Sequence, residues 1–390
     1  MFWSCTLKII FFCNDLPFFV NHFSTLARRT HEKGYDVIVL AGGATPEAVH
    51  SVERLGCRLI QLNISRSGTN PWQELAAFRQ IWQVIRAENP DIMQLLTIKP
   101  CIYGGIAARF LKVPKVVGTV TGLGYTFSGS TLKAIIRKNM LLFLYRFAFG
   151  GSRRDVKLVF ENLDDKSFFE QSKVILPAQT SRVWGAGVDL KRFSFKSQHP
   201  IAASDKVFRV VLPSRMLKDK GILEFIAAAD ILKNKGAPVE MVLVGGTDSA
   251  NPASLKNEDI MQWVDRGVIT WLGYRNDMPE QLQQADIVCL PSYREGMPKV
   301  ILEAMACGKA IITTNVPGCR EAIEPLVHGL IVPAADSAAL AAAIVQLVEN
   351  PKQLEMMGHA ARQRATMLFA DTMIADNYLS LYEVSAGFGS

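Results

Sequence analysis

Glu295 and Glu303 bracket the stretch Glu295-Gly-Met-Pro-Lys-Val-Ile-Leu-Glu303-Ala-Met-Ala-Cys-Gly308. Upstream, Asp286-Ile-Val-Cys-Leu-Pro-Ser292 reads as a buried strand. Downstream, Lys299 to Cys307 reads as a helix. Pro298 suits its first turn, where a missing N–H is harmless, and Gly308 ends it. A strand, a loop and a helix start in that order make an anion site, because free N–H groups and the helix dipole face the loop. Carboxylates do not bind phosphate, but they accept hydrogen bonds from hydroxyl groups. Two carboxylates flanking an anion site therefore suit an anion carrying polyols on both sides, which is the chemistry of a sugar nucleotide.

Three further elements belong to the same half. Pro213-Ser-Arg215-Met-Leu-Lys-Asp-Lys220-Gly221 offers the fork of Arg215 and the point charge of Lys220, a pair suited to a diphosphate. Val244-Gly245-Gly246 is a glycine turn that lets backbone approach a ligand. Leu272-Gly-Tyr-Arg275-Asn-Asp277 is a strand-to-helix turn whose backbone can meet a base. Each has an ordinary reading when taken alone: a basic surface loop, a strand end, a solvated acid. Their order within one half argues against coincidence. The sequence has no G-x-G-x-x-G after the first strand of either half, which disfavours a dinucleotide enzyme. It also has no G-x-x-x-x-G-K-[ST] and no D-x-D, and its histidines lack ligand spacing, so no metal or other cofactor is expected.

These residues need rigid elements to hold them. Apolar runs alternate with helical patterns throughout. Strands are expected near Lys8–Cys13, Asp36–Ala41, Arg58–Leu62, Ile92–Leu96, Lys115–Val120, Leu158–Phe160 and Thr180–Val183, then near Val207–Pro213, Val239–Val244, Val268–Leu272, Ile287–Pro291, Ala310–Thr313 and Gly329–Val332. Val- and Ile-rich strands with helical crossovers mean parallel sheets covered on both faces. The fold class is α/β, with two Rossmann-like doubly wound domains facing across a cleft. Residues 1–190 form the first domain and 206–369 the second, with a linker over Phe195–Asp205. A helix near 370–390 is expected to pack back on the first domain.

The 390 residues, 49% hydrophobic and 20% charged, describe a folded protein with large cores. No run is long and apolar enough for a membrane span. Leu7 to Cys13 reads as a first strand rather than a signal segment. The seven cysteines form no C-x-x-C pair, a pattern of reduced, buried thiols in a cytosolic protein. The net charge of +7 is concentrated in the first half, and between Ala108 and Arg154 there is no acidic residue. Within it, Ile135 to Phe149 interleaves Arg137, Lys138 and Arg146 with large apolar side chains. Such a segment can lie in a bilayer interface over anionic headgroups. No nucleic-acid motif is present.

The order Arg215…Lys220-Gly221, Glu295-x7-Glu303 and Glu303-Ala-Met-Ala-Cys-Gly308 resembles the retaining glycosyltransferases of family 4, which have the GT-B fold. Gly185-Ala-Gly187-Val-Asp189…Phe193 is similar to their interdomain segment. Lys99-Pro100, Thr121-Gly122-Leu-Gly-Tyr-Thr-Phe127 and Phe160-Glu-Asn162-Leu-Asp-Asp165 resemble the PglA-like branch, which adds an N-acetylhexosamine to undecaprenyl-diphosphate-linked saccharides. The resemblance spans nearly the whole chain. It implies that Arg215 and Lys220 hold the donor diphosphate, that Glu295 meets the transferred sugar, and that Glu303 accepts from the ribose hydroxyls. It places Gly245, Arg275, Met297, Lys299 and Val300 around the donor, and Asn14, Lys99, Gly122 and Asn162 on the acceptor side. Retention in the family is attributed to front-face attack, with the donor phosphate taking the acceptor proton, so no protein nucleophile is implied. The implied partners are a UDP-sugar, a lipid-linked saccharide and the anionic inner face of the plasma membrane, touched through residues 108–154.

The chain departs from the family twice. Thr119-Val-Thr121-Gly122 lacks the histidine that many members place there, and Asn14-Asp-Leu-Pro-Phe-Phe19 replaces a Gly-Gly loop. Two other readings stand beside a transferase: a UDP-N-acetylhexosamine 2-epimerase on the same fold, and a non-catalytic membrane-bound scaffold with a vestigial nucleotide site.

Overall fold

The computed structural model describes residues 6–64, 70–123, 131–151, 155–196, 206–249 and 251–383. Cys5, Gly124 to Phe127 of the expected acceptor motif and most of the expected linker lie outside the described residues. The chain forms two compact units, Met1–Ala186 with Asp371–Ser390, and Gly187–Ala370. The first boundary falls ahead of residue 190 because the chain is already tied into the second unit. The Val188 N–H donates to Phe369 O at 2.8 Å, and Arg362 donates to Phe193 O at 3.0 Å.

The first unit has strands β1 (Lys8–Cys13), β2 (Asp36–Ala41), β3 (Arg58–Gln61), β4 (Ile92–Leu96), β5 (Lys115–Val120), β6 (Asp155–Phe160) and β7 (Thr180–Arg182). They pair in parallel in the order β3-β2-β1-β4-β5-β6-β7. Its helices are α1 (Leu16–Glu32), α2 (Pro46–Arg54), α3 (Pro71–Glu88), α4 (Ile98–Phe110), α5 (Leu132–Phe149) and α6 (Leu163–Gln171). Successive side chains of β1 feed opposite faces. Ile10 and Phe12 join Ile81, Tyr145 and Phe149 in one core, while Ile9 and Phe11 join Phe19 and Phe23 in another. That two-sided burial is why the strands read as continuous apolar runs.

The second unit repeats the plan. Strands β8 (Phe208–Pro213), β9 (Val239–Val244), β10 (Thr270–Trp271), β11 (Ile287–Leu290), β12 (Ala310–Thr314) and β13 (Gly329–Val332) lie in the order β10-β9-β8-β11-β12-β13. Helices α7 (Ile222–Asn234), α8 (Asn257–Asp265), α9 (Met278–Gln284), α10 (Lys299–Ala306), α11 (Cys319–Ala322), α12 (Ser337–Val348) and α13 (Pro351–Leu368) accompany them. The last helix, α14 (Asp371–Tyr382), belongs to the first unit. Tyr378 and Tyr382 enter the core beside Phe23 and Phe11. Tyr382 donates to Gln94 Oε1 at 2.8 Å, and Arg29 grips Asp376. Buried aromatic area, with its hydroxyl satisfied, holds this helix down.

Cys13, Cys57, Cys101, Cys289, Cys307 and Cys319 are buried thiols outside any disulfide. Among the described residues no helix is long and apolar enough to cross a membrane.

Candidate functional site

In the second sheet, strand order reverses between β8 and β11. Ligands of doubly wound sheets bind outside the strand carboxyl ends at such a point. The loops that leave these two strands carry Arg215 with Lys220, and Ser292 with Glu295.

Gly221 lets the two loops touch. Its φ is +74°, and a Cβ there would sit 2.1 Å from Pro291 O. Any side chain would force the loops apart. The Tyr293 N–H donates to Asp219 O at 2.9 Å across the same seam. Lys220 Nζ then lies 2.6 Å from Glu295 Oε1, and Ser292 Oγ donates to that same oxygen at 2.7 Å. Ser292 is fully buried, and its carbonyl accepts from Thr314 Oγ1. Sequence spacing brought Lys220 and Glu295 into one site but missed Ser292. A buried serine at a strand end next to a loop acid was the available signal.

Gly245 makes the second close approach, with φ +143° and a would-be Cβ 1.8 Å from Ser214 O. Its N–H donates to Gly273 O, and its carbonyl accepts from Trp271 Nε1 at 2.8 Å. The loops after β8, β9 and β10 are thereby stacked backbone on backbone. Arg215 lies in the first of them, with its Nη1 2.9 Å from Asp248 Oδ2. Arg275 is exposed in the third, where it holds Asp277 through two bonds of 2.8 and 2.6 Å.

Pro298 serves as the N-cap of α10, just ahead of the first turn where the sequence placed it. Met297 before it is buried, while Lys299 and Val300 are half-buried in the first turn. Glu303 stands one turn further on, with Lys299 Nζ 3.8 Å from its Oε1. Burial pushes the Glu303 carboxyl above its ordinary value, against the opposing pull of Lys299 and Arg192. At the mouth of this site, two cations from the loop after β8 meet one carboxylate from the loop after β11 and one from α10. The arrangement presents both cations and the N–H groups that open α10, groups suited to an anion.

The residues expected on the acceptor side gather at the carboxyl edge of the first sheet. Asn14 follows β1, Lys99 opens α4 after β4, Gly122 follows β5, and Asn162 follows β6. Lys99 pairs with Glu74 at 2.7 Å, and Tyr103 donates to the other Glu74 oxygen at 2.6 Å. Asn162 is buried and caps α6, accepting from the Asp165 N–H at 2.8 Å. Thr97 donates to Asn14 Oδ1 at 3.2 Å from a backbone with φ +78°. That conformation is rare for a β-branched residue and costs about 1–3 kcal/mol. No sequence signal marked it. Among the described residues no group of three or more His, Cys, Asp or Glu gathers as metal ligands would.

With this geometry in hand, known proteins place the chain. Residues 194–364 match the family described as glycosyl transferases group 1, and residues 8–154 match the glycosyl transferase 4-like family. The N,N'-diacetylbacillosaminyl-diphospho-undecaprenol alpha-1,3-N-acetylgalactosaminyltransferase of Campylobacter jejuni is 30% identical over 86% of this chain and 88% of its own. The chain belongs to the group 1 glycosyltransferases. This glycosyltransferase is also similar to the UDP-Gal:alpha-D-GlcNAc-diphosphoundecaprenol alpha-1,3-galactosyltransferase of Escherichia coli, at 27% identity over 80% of this chain and 79% of that one. Its fold is GT-B. The crystal structure of Anabaena HepE in complex with UDP and glucose superposes with a TM-score of 0.77, at 19% identity, over 96% of this chain and 99% of the other.

Proposed function

We propose that this glycosyltransferase moves an N-acetylhexosamine from a UDP-sugar to a polyprenyl-diphosphate-linked saccharide, with retention at the anomeric carbon, in surface-glycan assembly. The carrying observation is the 2.6 Å pairing of Lys220 with Glu295 at the switch point of the second sheet. It puts a phosphate-binding cation and a hydroxyl-binding carboxylate within reach of the same two groups of a donor, the diphosphate and the sugar attached to it. The two relatives act on diphospho-undecaprenol saccharides, as their names state, which supports the acceptor class.

Arg215, Lys220 and the N–H groups of Lys299 and Val300 hold the diphosphate. As the bond from the anomeric carbon to phosphate oxygen breaks, negative charge grows on that oxygen. Fixed positive groups there stabilise the transition state more than the ground state. The acceptor hydroxyl attacks from the face the diphosphate leaves and passes its proton to that phosphate. No protein nucleophile and no metal is assigned. Glu295 orients the transferred sugar through its hydroxyls, and Glu303 accepts from the ribose, with Gly245 and the Arg275 turn beside the nucleotide. The saccharide chain is received at the carboxyl edge of the first sheet, by Asn14, Lys99, Gly122 and Asn162.

The lipid of such an acceptor lies in a membrane, and the first unit offers a surface for one. On α5, Leu132, Ile136, Met140, Phe143 and Phe147 stand exposed on one stripe, with Phe110 of α4 against Phe147. Lys133 and Arg146 flank them. We assign this face to the anionic inner leaflet of the plasma membrane, with the protein bound peripherally.

Transfer of labelled sugar from UDP-GalNAc and UDP-GlcNAc to a diphospho-undecaprenol saccharide tests the reading. Lys220→Ala and Glu295→Ala are each expected to slow transfer by about 100-fold or more. Wild-type rates in both variants would remove the site. UDP release without acceptor would favour the epimerase reading, and failure to bind UDP would favour the scaffold.

A further inference from the structure

Asp248 has no part in the site as described, yet it holds the group that the site most needs fixed. We infer that Asp248 is the positioning residue for Arg215, aiming the guanidinium at the donor diphosphate. The inference rests on the proposed reading of Arg215 as a diphosphate ligand.

Arg215 is an exposed side chain on a loop, and an arginine loses much rotamer freedom when it is immobilised on a ligand. Its Nη1 donates to Asp248 Oδ2 at 2.9 Å. That is a monodentate contact, so the remaining N–H donors of the fork are not used by it. Asp248 in turn is set by its own loop. Its N–H donates to Ser254 Oγ at 2.9 Å, and its carbonyl accepts from the Asn251 N–H at 2.8 Å. The loop is fastened to the Arg215 loop along both edges. The Met216 N–H donates to Gly246 O at 3.0 Å, the Leu255 N–H to Met216 O at 2.8 Å, and the Lys218 N–H to Ala253 O at 2.9 Å. Donor and acceptor of the ion pair therefore sit on one backbone frame.

The alternative role for a carboxylate here is a counter-ion that competes with phosphate. The two roles predict opposite signs. A positioning carboxylate lowers the ordering cost of binding, so its removal weakens the diphosphate contact. A competitor repels the ligand, so its removal tightens binding. Stability is a poor readout, because an exposed ion pair contributes little to it.

The test is calorimetric titration of the full chain with UDP and with uridine. Asp248→Asn is expected to weaken UDP binding about fivefold and to leave uridine binding unchanged, with Asp248→Glu recovering most of the loss. Added to Arg215→Ala, Asp248→Asn should cause no further loss, since coupled residues are non-additive. Unchanged or tighter UDP binding by Asp248→Asn, or an equal loss for uridine, overturns the inference. Arg215→Ala separates the two levels. If it binds UDP normally, the diphosphate role of Arg215 falls and Asp248 falls with it. If it binds UDP weakly while Asp248→Asn behaves as wild type, only the role of Asp248 falls.

Discussion

The Glu303 carboxylate has the Lys299 ammonium 3.8 Å away, yet burial outweighs that attraction and raises its pKa. For an acid whose folded pKa lies above its unfolded one, the folded state holds more protons in between. Stability then falls as pH rises through that window, and the penalty is complete above it. At neutral pH, above the unfolded pKa, Glu303 therefore works against the fold. A side chain that destabilises its own helix is explained if its charge is needed for binding, here by accepting from two ribose hydroxyls. Glu303→Gln should melt about 2–4 °C higher at pH 7, a gain that vanishes in acid where both forms are neutral. The same variant should bind UDP about 10- to 100-fold more weakly, since one amide oxygen replaces two charged acceptors. A higher melting temperature with unaltered UDP affinity would leave Glu303 outside the nucleotide site.

At the scale of elements, the turn from α10 into β12 buries Lys309 almost completely, its Nζ donating to Gln283 O at 2.8 Å. Burial lowers its pKa to about 8, with Asp286 pulling the other way. The sign is opposite to that of Glu303. Between about 8 and the ordinary 10.5 the unfolded chain holds the extra proton, so stability rises with pH. Denaturant unfolding of wild type and Lys309→Met should show the wild type gaining about 2–3 kcal/mol on the variant between pH 7 and pH 10.5. A constant difference would mean that the amine is hydrated. Elements like this turn were legible in the sequence. The strands around it are buried on both faces and read as unbroken apolar runs, and Gly308 marks the helix end at φ +71°. The Lys220–Glu295 pair was legible too, because each partner closes a strand-to-helix loop. Asp248 was not, since its contact with Arg215 joins two loops whose meeting depends on Gly245 and on the backbone seam beside it.

Over the whole molecule, the acid-free stretch between Ala108 and Arg154 belongs to both a core and a surface. The inner side of α5 buries Tyr145, Ala148 and Phe149, while its outer stripe leaves Leu132 72% and Phe143 67% exposed. A helix apolar on all sides is ordinarily covered, and large exposed apolar patches mark interaction surfaces. Of the cations that the sequence put forward, Lys138 lies over the Phe168 ring and Arg137 is half-buried. Only Arg146 of the three is exposed; Lys133, which the sequence did not single out, is exposed as well, so these two carry the test. Each cation near an anionic surface contributes about 1 kcal/mol. Lys133→Glu with Arg146→Glu should therefore reduce co-sedimentation with phosphatidylglycerol vesicles by about 30-fold or more. Binding to phosphatidylcholine vesicles should be weak in both proteins and should not change. Phe143→Ser with Ile136→Ser should lower binding to both, because it removes the apolar contact rather than the charge. If the charge-reversed protein still sediments with anionic vesicles while the serine variant does not, the face is a purely apolar anchor. If neither change releases the protein, α5 is not the membrane surface.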